Sequence, residues 1–588
     1  MRRSIFYIGL MFVISGCLNE KQQAEKIVRH YISQKEEPIR NYAMQSAIAL
    51  WNATVSGNEN DYQKLVEIEM AFNKSNQNPS GLFAPDKFYS ITQNVFSNEK
   101  DFQLLKKLKY SGLITDTILN RQLNVLYQAF MGPQIEIKKY QKLMNSEIKL
   151  WQALSVVKIS IEGKKYGGSQ IDSIRKNSNV ASVLKMIFDG YQEEGRILAP
   201  DIIQMVKDRN EFAANFGYDN FYQLSLDAKD QTPEQIKIML DDIESKTRTQ
   251  FFEAKSVIDK LLATRFGISK TDLQPWLYHE EGNSYLPSKF KDKMDSLFLK
   301  IDPIKTTEAF FNGIGLPIKN VIENSDLEYR PAKSSLNAMI NVDFKNDIRL
   351  ISSIQNTHEG MMKMMHLGGH ASHYKTISDD VPYLLKTPNY ALGEGVARYF
   401  ESLASDYNWL KNVVVIDTVA QKQLILICQH LRQVDRLFRC RKLLALADFE
   451  REIYVNPDQN LDELWQKLNL KYLGINYSSQ KNACLWASNK FATSLSCTTH
   501  NLVLADVFAA QLQHTIEKRV LTEKGIAYRN NQEIGKFLME KLYRHGNMSS
   551  WEKLIENVTG EPLNSTYFVN SMIENENDVE IPIEKQKQ

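Results

Sequence analysis

Apolar residues in this chain recur mainly at steps of three and four. Between residues 24 and 57, Ile27, Tyr31, Ile39, Tyr42, Ala47 and Trp51 keep that spacing, which predicts amphipathic helices. Pro38 is expected to mark a break or a first turn, and Gly57-Asn58 a stop. Comparable helical runs cover 136–163, 197–216, 232–264, 414–448 and 501–519. In the second of these, Pro200 reads as a first helical residue, with Asp201 in the first turn and Gly217 near the end. Strict alternation is rare. Its clearest instance is 336–354, where Met339, Asn341 and Asp343 alternate with apolar residues and Lys345-Asn346-Asp347 could turn a hairpin. The expected fold class is therefore all-α, with a short β-hairpin near 336–354.

No linker-like stretch divides the middle of the chain, so one helical domain is expected over 26–570, followed by a charged C-terminal tail at 571–588. The N-terminus reads differently. "MRRSIFYIGLMFVISGC" places two arginines before an apolar run that is shorter than the roughly 20 residues a spanning helix needs. Residues 1–16 read as an export signal. Ile14-Ser15-Gly16-Cys17 resembles the lipobox of bacterial lipoproteins, which implies cleavage before Cys17, lipidation of that cysteine and a polar tether over 17–25. Several acyl chains, at about 0.8 kcal/mol per buried methylene, would hold the protein firmly to a membrane. The expected location is the bacterial cell envelope, at the outer membrane or periplasmic face, with the lipid membrane as partner through Cys17.

The 588 residues are 43% hydrophobic, enough for a large core, and carry 72 Lys+Arg against 70 Asp+Glu. That balance gives no reason to expect a nucleic-acid partner. Cys428, Cys440, Cys484 and Cys497 show neither zinc-ribbon nor C-x-x-C spacing. They are expected to be mostly buried thiols, although their pairing cannot be deduced from sequence.

The candidate chemistry lies in "KMMHLGGHASHY", residues 363–374. His366 and His370 are one helical turn apart and can direct ring nitrogens at one ion. A third ligand is required, usually a carboxylate. Glu394, 24 residues after His370 in "TPNYALGEGVARYFESLASDYNWL", can return on a second helix beginning near Ala391. Arg398 offers Glu394 a different partner, because an i,i+4 ion pair would neutralise it without metal. His358 and His500 read as structural by default; His373, three residues after His370 on a similar face, could add a ligand, with a solvated or core histidine the plainer reading. Glu359 stands two turns from His366, too far along the axis for a ready replacement base. The methionines at 361, 362, 364 and 365 read as core packing.

The pattern resembles the angiotensin-converting-enzyme family, the peptidyl-dipeptidase A zinc peptidases, including their bacterial members. The similarity runs in family order from "NYAMQSAIALWNATVSGN" through "VKDRNEFAANFGYDNFYQLSLD", "NDIRLISSIQN", "EGVARYFESLASDYNWL" and "DFEREIYVNPDQNLDELW" to "HNLVLADVFAAQL" and "WEKLIENVTGEPL". The resemblance implies an elongated helical ellipsoid with a central channel between two lobes. It also implies Zn2+ held by His366, His370 and Glu394, and peptide ligands. The family's general base falls at Leu367. Its oxyanion histidine falls at Phe491 or Ala492 and its oxyanion tyrosine at Leu502. A carboxylate-gripping tyrosine falls at Thr498 or Thr499, and a histidine that contacts substrate near Leu336. Lys490 matches a lysine that binds the substrate carboxylate. No catalytic residue is carried over, so the resemblance implies a pseudopeptidase that binds peptides without cleaving them. The alternatives are an active dipeptidyl carboxypeptidase with altered catalytic residues and a non-enzymatic structural lipoprotein.

Overall fold

The computed structural model describes residues 2–73, 98–134, 158–167, 178–278, 294–328, 337–414, 431–477, 483–488, 497–521 and 528–573, with isolated positions in 139–175 and 424–428; side chains before Glu20 lie outside that set. Helices of seven residues or more are numbered in chain order. The first layer is α1 (Arg2–Ser56), α2 (Glu59–Asn73), α3 (Glu99–Tyr110) and α4 (Thr117–Met131). Val28, Tyr31 and Ile32 of α1 share a small core with Leu105 of α3 and with Leu123 and Phe130 of α4. Gly57 does stop α1, in the left-handed conformation. Pro38 does not break it. The helix continues through the proline, with Ile32 before it and Ile39 after it buried in the same core, so tertiary packing outweighs a local cost of about 3 kcal/mol.

Pro200 is likewise internal, to α5 (Ala181–Ala214), where Ile187, Leu198, Ile202 and Met205 are buried on both sides of it. The helical expectation over 136–163 is corrected at its end. Lys158–Ile161 is a strand, β1, paired antiparallel with β2 (Lys164–Gly167). Glu162 and Gly163 both take positive φ, the two-residue turn that suits strand twist. Ile159 and Ile161 face a small core shared with Ile187. The expected hairpin is present: β3 (Ala338–Asn341) pairs antiparallel with β4 (Ile348–Ile351). Asp343 closes its turn by accepting the N–H groups of Lys345, Asn346 and Asp347. Among the described residues these two hairpins are the only sheets, and the fold is all-α.

The remaining helices are α6 (Phe221–Asp227), α7 (Pro233–Phe266), α8 (Pro303–Gly313), α9 (His358–Lys375), α10 (Tyr390–Leu403), α11 (Arg436–Val455), α12 (Leu461–Leu473), α13 (Thr499–Arg519), α14 (Gln532–Lys541), α15 (Trp551–Thr559) and α16 (Ser565–Ile573). α10 packs against both α9 and α13, α9 also against α8, and α13 also against α11. Two of these crossings depend on missing side chains. A Cβ at Gly369 would stand 2.9 Å from the Ala397 Cα of α10, and one at Gly395 would stand 2.6 Å from Phe508 of α13. Met572 near the end of α16 is buried in the main core; residues 574–588 lie outside the described set. Cys428, Cys440 and Cys497 are buried and Cys484 partly so, all as thiols. Among the described residues, no helix is long and apolar enough to cross a membrane.

Candidate metal centre

Thr357 starts α9 by accepting the Gly360 N–H at 3.0 Å, an ordinary N-cap. The helix is buried almost all round. Between Glu359 and His370, its side chains reach solvent only along the stripe Glu359, Met362, Lys363, His366 and His370. Asn389 caps α10 through the Ala391 N–H, and the close approach at Gly369 lays α10 beside that stripe.

His366, His370 and Glu394 come together as expected, with one ligand atom from each lying within 4.8 Å of the others. Glu394 Oε2 is 3.4 Å from His370 Nε2 and 3.8 Å from His366 Nε2. Tetrahedral ligands about 2.0–2.1 Å from a zinc ion stand roughly 3.3 Å apart, so modest closure would fit the ion. His2Glu is also a donor set zinc accepts. The ion pair foreseen between Glu394 and Arg398 is present too, with Arg398 Nε donating to Glu394 Oε1 at 2.9 Å. The two readings use different oxygens of one carboxylate.

A residue that sequence reasoning missed completes the group. Glu401 Oε2 is 2.8 Å from His366 Nδ1. Burial raises the Glu401 pKa, but the Arg398 guanidinium and the His366 hydrogen bond overcome this and hold it down to about 2. An ionised carboxylate only accepts, so Nδ1 carries the proton. Arg398 Nη1 also donates to both Glu401 oxygens, at 3.1 and 2.9 Å. Behind these, Asp506 of α13 is 3.3 Å from Arg439 Nη1 and 4.0 Å from Arg398 Nε. For Glu394, burial raises the pKa, but His370, Arg398 and His366 together hold it well below the usual carboxylate range. Burial pushes the His370 pKa down, opposed in part by Glu394.

The other candidates fall elsewhere. Leu367 is 1% exposed and belongs to the main core. Glu359 pairs with Lys363 at 2.9 Å and is not in the cluster. His373 stacks on Tyr543 with ring centroids 4.5 Å apart. His358 lies 3.0 Å from the Ser405 hydroxyl and His500 lies 2.8 Å from Gln231 Oε1. Met361, Met364 and Met365 are core residues. Leu502 is also buried in the core, and the Thr499 N–H donates to Glu450. Lys490, Phe491, Ala492 and Leu336 lie outside the described residues, as does the side chain of Cys17.

Residues 448–575 match the family model described as Carboxypeptidase Taq (M32) metallopeptidase. The match spans the end of α11, then α12 to α16, which includes the helix behind α10 but none of the three cluster residues. No curated protein matches the chain. The match supports a zinc-metallopeptidase-like family, without singling out the angiotensin-converting-enzyme family. The cluster of His366, His370 and Glu394, found independently of that match, is one that could hold the metal.

Proposed function

We propose that the protein is an exported, lipid-anchored relative of the zinc peptidases that binds peptides over a metal floor and does not cleave them. The observation that carries this reading is the contrast between two neighbours on α9. His366 joins His370 and Glu394 in a group able to hold zinc, whereas Leu367, where a base is needed, is buried in apolar core. Bound zinc supplies Lewis acidity towards a peptide carbonyl or carboxylate. Hydrolysis also needs a proton acceptor and oxyanion donors, worth about 10²–10⁴-fold and 10²–10³-fold. Leu367 and Leu502 can be neither. The proposed ligand is the C-terminal part of an exported peptide, with Lys490 receiving its carboxylate. Cys17 carries the lipid that holds the protein in the bacterial cell envelope.

The test is elemental analysis of purified chain beside His366→Ala/His370→Ala, followed by incubation with peptides bearing free or amidated C-termini. About one zinc per chain, lost in the double variant, with retention of free-C-terminus peptides and no cleavage, is the expected result. Chelator-sensitive hydrolysis abolished by His366→Ala would replace this reading with an active carboxypeptidase of altered chemistry. A second reading, a structural lipoprotein without metal, draws on the 2.9 Å bond from Arg398 to Glu394. Absence of zinc after reconstitution would favour it.

A further inference from the structure

We propose that Arg398 and Glu401 form a charge-neutral clamp that presets the metal-facing atoms: Arg398 holds Glu394 Oε1 and Glu401 holds the His366 Nδ1–H, leaving Glu394 Oε2 and His366 Nε2 to a divalent cation. The inference rests on the metal reading above and concerns how this chain shapes the site. Glu394, Arg398 and Glu401 are spaced four and three apart, on one face of α10. Arg398 bridges the two carboxylates, with Nε at 2.9 Å from Glu394 Oε1 and Nη1 at 2.9 and 3.1 Å from Glu401. A guanidinium held at both ends by its own helix has little rotamer freedom left, so the Glu394 plane is fixed with Oε2 turned towards the histidines.

Glu401 performs a second task. By accepting the Nδ1–H hydrogen bond at 2.8 Å it selects the tautomer whose Nε2 lone pair can bind metal, the usual job of an outer carboxylate at such sites. Charge explains why both members are needed. Arg398 alone, so close to a divalent ion, would repel it; Glu401 cancels that charge. One layer further out, Arg439 is likewise matched by Asp506 at 3.3 Å. The surroundings are thus balanced, and the net negative charge offered to the cation is that of Glu394.

The experiment compares the native chain with Arg398→Met/Glu401→Leu, which removes one charge of each sign and leaves the net charge unchanged. Zinc affinity is measured by competition with a chromophoric chelator. The visible absorption of the cobalt(II)-substituted protein reports ligand geometry. Circular dichroism and a thermal melt establish that the variant is folded. The expected result is about a 10–100-fold loss of zinc affinity with an altered cobalt spectrum. Native affinity together with a native cobalt spectrum overturns the clamp while the metal reading stands. Native protein that binds zinc no better than His366→Ala/His370→Ala removes both. Should the double variant fail to fold, Glu401→Gln keeps an acceptor for Nδ1 but leaves Arg398 uncompensated. A loss of about 10-fold is expected there, and unchanged affinity is equally fatal.

Discussion

Two buried polar groups in this molecule each contain a histidine, and they differ in what is left over. Between α9 and α10, both Nε2 atoms face one oxygen of Glu394. The opposite sides of His366 and Glu394 are fastened by Glu401 and Arg398. At the start of α13, partners close the backbone donors and one side of His500, while His500 Nδ1 and Asn501 Nδ2 stay buried without a hydrogen-bond partner among the described residues. Glu450 accepts the N–H groups of Cys497 at 2.7 Å and Thr499 at 3.1 Å. Gln231 spans His500 at 2.8 Å and Asn501 at 2.7 Å. The first group ends in two ring nitrogens and a carboxylate oxygen that face one another, and the second in satisfied backbone donors and a single ring nitrogen, His500 Nδ1, that faces no partner. Burial of a histidine is therefore no sign of a ligand. Convergence of three potential ligand atoms from three side chains on one point is.

The sharpest way to break this contrast is to remove Glu450. It is 2% exposed, and the amide donors of Cys497 and Thr499 at the buried start of α13 depend on it. Each orphaned buried donor costs about 1–3 kcal/mol, so Glu450→Ala should lose about 3 kcal/mol or more in urea unfolding. A loss under about 1 kcal/mol would mean that water or another acceptor reaches this end of α13, and that the group is not closed.

The two groups also differ in how far the sequence announced them. His366, His370 and Glu394 were legible because i,i+4 spacing and the family-like gap are properties of the chain itself. The Arg398–Glu394 pair was legible for the same local reason. Glu401 was not: its histidine is 35 residues away on another helix, and only the three-residue step from Arg398 hinted at it. Leu367 between the histidines reads as a lost base, and the two glycines after it carry no chemistry. In the fold Gly369 is also a packing requirement, because α10 backbone occupies the place of its Cβ. Pro38 and Pro200 misled because their local preference is overridden by apolar burial on both sides. The hairpin at 158–167 was concealed inside a helical run, although alternating Ile159 and Ile161 before Glu162-Gly163 were its signal. The closed group at α13 draws on α6 to α7, α11 and α13, and no local pattern joins those segments.

A pH titration sharpens the comparison at intermediate size. Burial, with Lys229 adding to it, pushes the His500 pKa down to about 3, against about 6.5 in the unfolded chain. Between those values the unfolded chain binds more protons, so stability is fullest above pH 6.5 and declines as pH falls towards 3. At pH 5 the shortfall from this residue is about 2 kcal/mol. Unfolding free energies at pH 7.5 and pH 5 should therefore converge in His500→Gln, which keeps a donor for Gln231, by about that amount relative to the native chain. An unchanged pH dependence would show that His500 is not held neutral by the closed group.

The smallest effect on stability is expected where the effect on metal is largest. In His366→Ala/His370→Ala, Glu394 keeps its bond from Arg398 and Glu401 keeps two from the same guanidinium, so neither carboxylate is left as a lone buried charge. The histidines line a partly open stripe, with side chains 14% and 19% exposed, and truncating both should cost only about 1–2 kcal/mol by urea unfolding of metal-free protein. Zinc should meanwhile fall from about one per chain to none. A loss as large as that of Glu450→Ala would make the histidines members of a closed structural group like the one at α13. The contrast between fastened and convergent nitrogens would then have no functional content.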